Sequence, residues 1–182
     1  MGPHQKRNAM IIELINEYIN RGLRLLLTLF MAVMIIAVVW QVFTRFVLND
    51  PANFTDELSR YLLIWIGVLG GAYTFSIRRH LALELLSSRY GEKGRNVLSI
   101  LTNLIVVMLS TVAFIYGGYL LVSSTIANGQ ISPGIVIGGH HLLIGYVYLV
   151  VPISGVLITY FGVLDIFRSI YFLTQTRSDH RV

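Results

Sequence analysis

The residues best equipped for chemistry lie in RFVLNDPANFTDELSRYLLIW, from Arg45 to Trp65. Arg45, Asp50, Asp56, Glu57 and Arg60 bring five charges together in a chain with few. Neighbouring carboxylates beside arginines are the raw material of acid–base catalysis or of an ion site. The other candidates are histidines. His80 stands alone, whereas His140 and His141 are adjacent; imidazole is a metal ligand, and a pair at matching depth can hold haem.

The surrounding sequence limits that chemistry. The chain has 182 residues, 55% of them hydrophobic and only 13% charged, with a mean hydropathy of +0.69. Soluble domains carry about 25% charged residues. About 20 apolar residues suffice to cross the ~30 Å hydrocarbon layer, and no polar stretch reaches the ~50 residues of a small soluble domain. With no cysteine there is no disulfide, thiolate nucleophile or Cys metal site. The net charge of +5 resides in short segments beside apolar runs. Topology and anionic membrane lipid account for it better than nucleic acid does.

The expected fold is an all-α integral membrane protein with four transmembrane helices and a short N-terminal interfacial amphipathic helix. Residues 1–9 are read as a leader or a disordered segment. Residues 10–22, MIIELINEYINRG, place Ile11, Ile12, Leu14, Ile15, Tyr18 and Ile19 at helical spacing, with charges between them, which predicts a helix lying along the membrane. The four-helix domain covers 23–170, with spans at about 23–43, 58–77, 97–122 and 142–170, and 171–182 forms a cytoplasmic tail. Asn128-Gly129 and Pro133-Gly134 mark the break between the last two spans. Pro152 and Gly155 are expected to kink the fourth.

Lys and Arg set the orientation. Under a four-span reading twelve of the fourteen fall on one side, leaving only Arg45 and Arg60 opposite. Positive residues concentrate on the cytoplasmic side, so both termini are expected there and the Arg45–Trp65 stretch outside. The histidines then divide, with His80 at the inner end of span two and His140 and His141 at the outer start of span four. They cannot share one metal or haem, so no cofactor is expected. There is no H-E-x-x-H, P-loop or G-x-S-x-G motif and no ionisable residue in the middle of a span, where transport pathways are usually marked. The chain is read as no enzyme and as an accessory subunit. The competing readings are an independent small carrier or channel and a haem-bearing membrane redox subunit.

The charged stretch makes sense as a corner. Thr55 is placed to cap a helix starting at Asp56, and Asp56 and Glu57 suit its positive end. Arg60 shares a face with both acids, Pro51 fixes the turn, and Arg45 is expected to reach the acids from the end of span one.

The spacing of Arg45, Pro51, Asp56, Glu57, Leu58, Arg60 and Trp65 resembles the DctQ-like small membrane subunit of tripartite ATP-independent periplasmic (TRAP) transporters. Arg79-His80-Leu81 followed by Glu84-Leu85-Leu86 is similar to the family's inner-face motif. The resemblance covers Leu25 to Arg168. Phe54 stands where the family often has Trp, and Asp56 where it often has Glu. The resemblance implies a bacterial inner-membrane scaffold for a large multi-span subunit that carries the substrate and sodium sites. It also implies a docking surface for a periplasmic solute-binding protein, in secondary active uptake of organic acids such as sialic acid or C4-dicarboxylates.

Overall fold

The computed structural model describes residues 3–87 and 92–178. Four of its helices are long and apolar enough to cross a membrane: Met10–Leu48, Asn53–Ile77, Val97–Ala127 and Ile144–Ile170. The chain divides into two compact units, Met1–Tyr73 and Thr74–Val182.

In the first unit, α1 (Pro3–Phe43) is a single α-helix. The amphipathic segment 10–22 continues without a break into the first span. No proline separates them, and Gly22 alone lowers helix propensity by only about 1 kcal/mol. One face of α1 is set apart along its length. Asn16, Leu23, Ala37 and Thr44 are buried, at intervals of seven or multiples of seven, and Phe30 between them is half-buried. A seven-residue period keeps one narrow seam in line on a helix. The facing element contributes α2 (Asn53–Ser87), on which Leu69 and Ala72 are buried. Phe30 meets Trp65 edge to face with centroids 5.8 Å apart, an arrangement that the charge distribution of aromatic rings favours.

The second unit is held by α3 (Glu92–Leu109), a π-helical segment at Ser110–Tyr116, α4 (Gly117–Ala127) and α6 (Val150–Ser178). In lipid, helices associate through close packing and interhelical hydrogen bonds, and small residues permit both. A Cβ on Gly155 would lie 2.7 Å from Phe114 Cβ, and one on Gly162 would lie 2.6 Å from Val107 Cγ2. The Ser110 hydroxyl donates to the Gly155 carbonyl at 2.9 Å, so the widened π turn begins at the residue that bridges the helices. Towards the other end of α6, Ser169 Oγ donates to Ser99 Oγ at 3.4 Å, and Asn103 Nδ2 to the same oxygen at 3.3 Å. Asp165 is buried at this level.

The glycines in span two differ from those in span four. Gly67, Gly70 and Gly71 have open space where a Cβ would stand. Pro152 lies in the first turn of α6, where a helix needs no N–H from it. The discontinuity falls just before, at Leu149, after the short α5 (Ile144–Tyr148).

Between α4 and α5 the structure adds a hairpin that helix counting does not anticipate. β1 (Ile131–Ile137) pairs antiparallel with β2 (His140–Leu143). Gly129 ends α4 at φ 61°, with Gln130 N–H donating to Thr125 O and Gly129 N–H to Ile126 O, the bond pattern of a Schellman cap. The hairpin turn itself is Gly138-Gly139, both with positive φ, as a two-residue turn between twisted strands requires.

Gly155→Leu is expected to cost about 1–3 kcal/mol through overpacking, seen as a lower unfolding temperature in detergent. Gly70→Ala is expected to hold or raise that temperature. Equal losses in the two variants would contradict the packing described.

Candidate functional site

The corner between the first two spans is assembled around a residue that the charge pattern does not single out. α1 gives way to a π-helical turn at Thr44–Leu48, closed by Asn49 in the left-handed region at φ 52°. Thr44 is only 3% exposed. Its hydroxyl donates to Gln41 O at 3.0 Å and accepts from Ala52 N–H at 3.4 Å. Its carbonyl receives the Asn49 N–H and the Asp50 N–H, the latter at 3.2 Å. One threonine thus satisfies backbone groups on both sides of the turn. Pro51, in the linking segment, supplies a fixed φ without asking for an N–H partner.

α2 begins at Asn53, three residues earlier than a Thr55 cap would place it. Asp56 N–H donates to Ala52 O at 3.4 Å, and Thr55 Oγ1 also donates to Ala52 O, at 3.0 Å. Thr55 therefore reinforces the first turn from inside. Ser59 Oγ does the same one turn on, donating to Thr55 O at 2.6 Å.

Asp56 ties the charged face to α1. One carboxylate oxygen receives Arg60 Nη2 at 2.6 Å, and the other receives Gln41 Nε2 at 2.7 Å. The carboxylate sits in the first turn of α2, where the exposed N–H groups favour negative charge. Gln41 takes the bridging role that Arg45 was expected to fill. The Arg45 side chain is exposed and has no hydrogen-bond or ion-pair partner among the described residues. The π turn lies between the two: it rotates residues after Thr44 away from the phase of α1, so Gln41 stays aligned with the seam. Glu57 is half-buried and engaged. Trp65, five residues beyond Arg60, meets Phe30 as already described. Thr44 was findable in the sequence, because it continues the seven-residue phase of Leu23, Phe30 and Ala37, and Gln41 shares its face, four residues after Ala37 and three before Thr44.

Arg79 and His80 lie on α2, and their side chains fall outside the described ones. On the hairpin, His141 Nδ1 donates to the Ser132 carbonyl at 3.2 Å, and both His140 and His141 are exposed. Among the described residues no three His, Asp or Glu side chains gather as metal ligands would. The corner is built to hold a shape; it presents no nucleophile paired with a base.

Apolar helices of spanning length, joined at a hydrogen-bonded polar corner, define a multi-pass α-helical membrane protein. The family model for the DctQ component of tripartite ATP-independent periplasmic transporters matches residues 34–171, and the chain belongs to that family. A Haemophilus influenzae protein that carries the name of a TRAP transporter small permease is 24% identical over 157 residues, 86% of this chain and 92% of that relative. The sialic acid TRAP transporter small permease protein SiaQ of Vibrio cholerae is 31% identical over 111 residues, 60% of this chain and 63% of that relative. The family is one of transporter permease subunits, which is not an enzyme class.

Thr44→Val keeps the shape but strands the Ala52 N–H, a loss of about 1–3 kcal/mol for a buried donor. Arg60→Ala removes an ion pair whose members are 66% and 44% exposed, worth about 0–1 kcal/mol. Thermal unfolding in detergent is expected to rank Thr44→Val as the more harmful change; the reverse order would make the ion pair the principal brace.

Proposed function

We propose that this chain is the small, non-catalytic scaffold subunit of a TRAP transporter, held in the bacterial inner membrane with both termini cytoplasmic. Its partner is a large multi-span subunit that carries the substrate and performs sodium-coupled transport. The corner around Asp56 and Arg60 faces the periplasm and forms part of the docking surface for a solute-binding protein. The substrates are organic acids such as sialic acid or C4-dicarboxylates, sialic acid being what the Vibrio cholerae relative is named for.

The observation that carries this reading is the family match over residues 34–171, from within the first span to the end of the fourth. The physical architecture supports it. Gly155 and Gly162 bring α6 against the π-helical segment and α3 in contact that leaves little room for sliding, and the corner is closed by side-chain and backbone bonds from both helices. Both features suit a part that stays still while another moves.

The reading predicts that the tagged chain, extracted from membranes in mild detergent, brings a larger membrane subunit with it. Its absence from every such preparation would remove the scaffold role. Arg60→Glu puts a second negative charge beside Asp56 and is expected to weaken assembly or uptake. Wild-type levels of both would show that the corner's charge pairing serves neither.

A further inference from the structure

One hydroxyl in the second unit is buried without a partner, and its position in the chain explains why. Serine and threonine inside a helix commonly donate to the carbonyl three or four residues back, as Thr28, Thr111 and Thr125 do. Thr159 does not. Its Oγ1 is buried and has no hydrogen-bond partner among the described residues. The carbonyl four residues back belongs to Gly155, and Ser110 Oγ donates to it from across the seam at 2.9 Å. A carbonyl oxygen has two lone pairs. The helical N–H of Thr159 takes one and Ser110 takes the other, so the Thr159 hydroxyl finds the site filled.

We propose that Ser110 and Thr159 are rival donors to this one carbonyl and make a two-position joint between the π-helical segment and α6. In the closed position, which the structure holds, Ser110 bridges the helices and Thr159 is stranded. In the open position Thr159 donates to Gly155 O within α6, and Ser110 turns back to Val106 O, four residues before it. Opening satisfies both hydroxyls where closure satisfies one, and a buried polar group without a partner is costly. Packing opposes opening. A Cβ on Gly155 would lie 2.9 Å from Ile115 Cγ1, and one on Gly118 would lie 2.9 Å from Pro152 Cδ, so closure brings α6 into tight contact here. Hydrogen bonding and packing therefore pull in opposite directions at this level. Further along α6 they agree: Gly162 lies against Val107, and Ser169 is bonded to Ser99. That part of the seam stays shut and serves as the hinge. The π turn begins at Ser110, and helices bend at such widened turns. The joint separates the helices instead of sliding them, and it goes beyond the scaffold reading without depending on it.

A double-mutant cycle on the purified chain in detergent tests the rivalry. Thr159→Val removes the stranded hydroxyl and is expected to hold or raise the unfolding temperature. Ser110→Ala hands the carbonyl to Thr159, so only a small loss is expected. In the Ser110→Ala protein, Thr159→Val is expected to lower the unfolding temperature, a reversal of sign. Additive effects of the two changes would overturn the rivalry. The motion is read with paired spin labels on introduced cysteines, since the chain has none of its own. Tyr119→Cys with Ile153→Cys reports on the joint, and Leu101→Cys with Phe167→Cys on the hinge; all four positions are exposed. Ser110→Ala is expected to lengthen the first distance and leave the second as it was, and Thr159→Val to shift the first the other way. A first distance unchanged in both variants, or equal lengthening of both distances, would overturn the joint.

Discussion

Hydrocarbon offers no hydrogen bonds, and this protein's architecture follows from that single restriction. Every polar group within the bilayer must be satisfied by the chain itself, so the spans are helices. The hydroxyls inside them turn back on their own backbone. Thr28 bonds to Arg24 O, Thr111 to Val107 O, Thr125 to Leu121 O and Ser154 to Val151 O. Ser110 and Ser169 are different: each reaches across to another helix. At Ser110 that departure coincides with a π turn and with the close approach at Gly155. Local bonding, helix geometry and interhelical packing are therefore settled together at one level of the second unit.

The same restriction shapes the corner. Where a helix ends, its last carbonyls and the next helix's first N–H groups lose their partners. Thr44, Asn49 and Ala52 close most of that gap with backbone and hydroxyl bonds. Asp56 adds a carboxylate shared by Gln41 and Arg60. Asp56 and Arg60, which look catalytic in the sequence, here pair with each other, and Asp56 also holds Gln41 at the helix end.

Much of this was legible from the sequence because it depends on length and spacing. Four apolar runs of spanning size gave four helices, and Arg60 four residues after Asp56 gave the ion pair. What was missed depends on events that composition does not encode. A π turn at Thr44–Leu48 changes which face follows the seam, so Arg45 could not be assigned its place by counting. The hairpin at Ile131–Leu143 lies in an uncharged stretch where apolar residues read equally as strand or span. Turn dipeptides there were recognised, but Gly138-Gly139 makes the hairpin while Asn128-Gly129 closes a helix. The glycines looked alike in one dimension, and only packing separates crowded Gly155 from open Gly70.

The central claim is a division of labour in which this chain supports transport without carrying substrate. Reconstitution in liposomes tests it most directly, with a sodium gradient and the solute-binding protein supplied outside. Uptake is expected only when this chain and the large subunit are both present. Uptake by this chain alone, or undiminished uptake by the large subunit without it, would contradict the account.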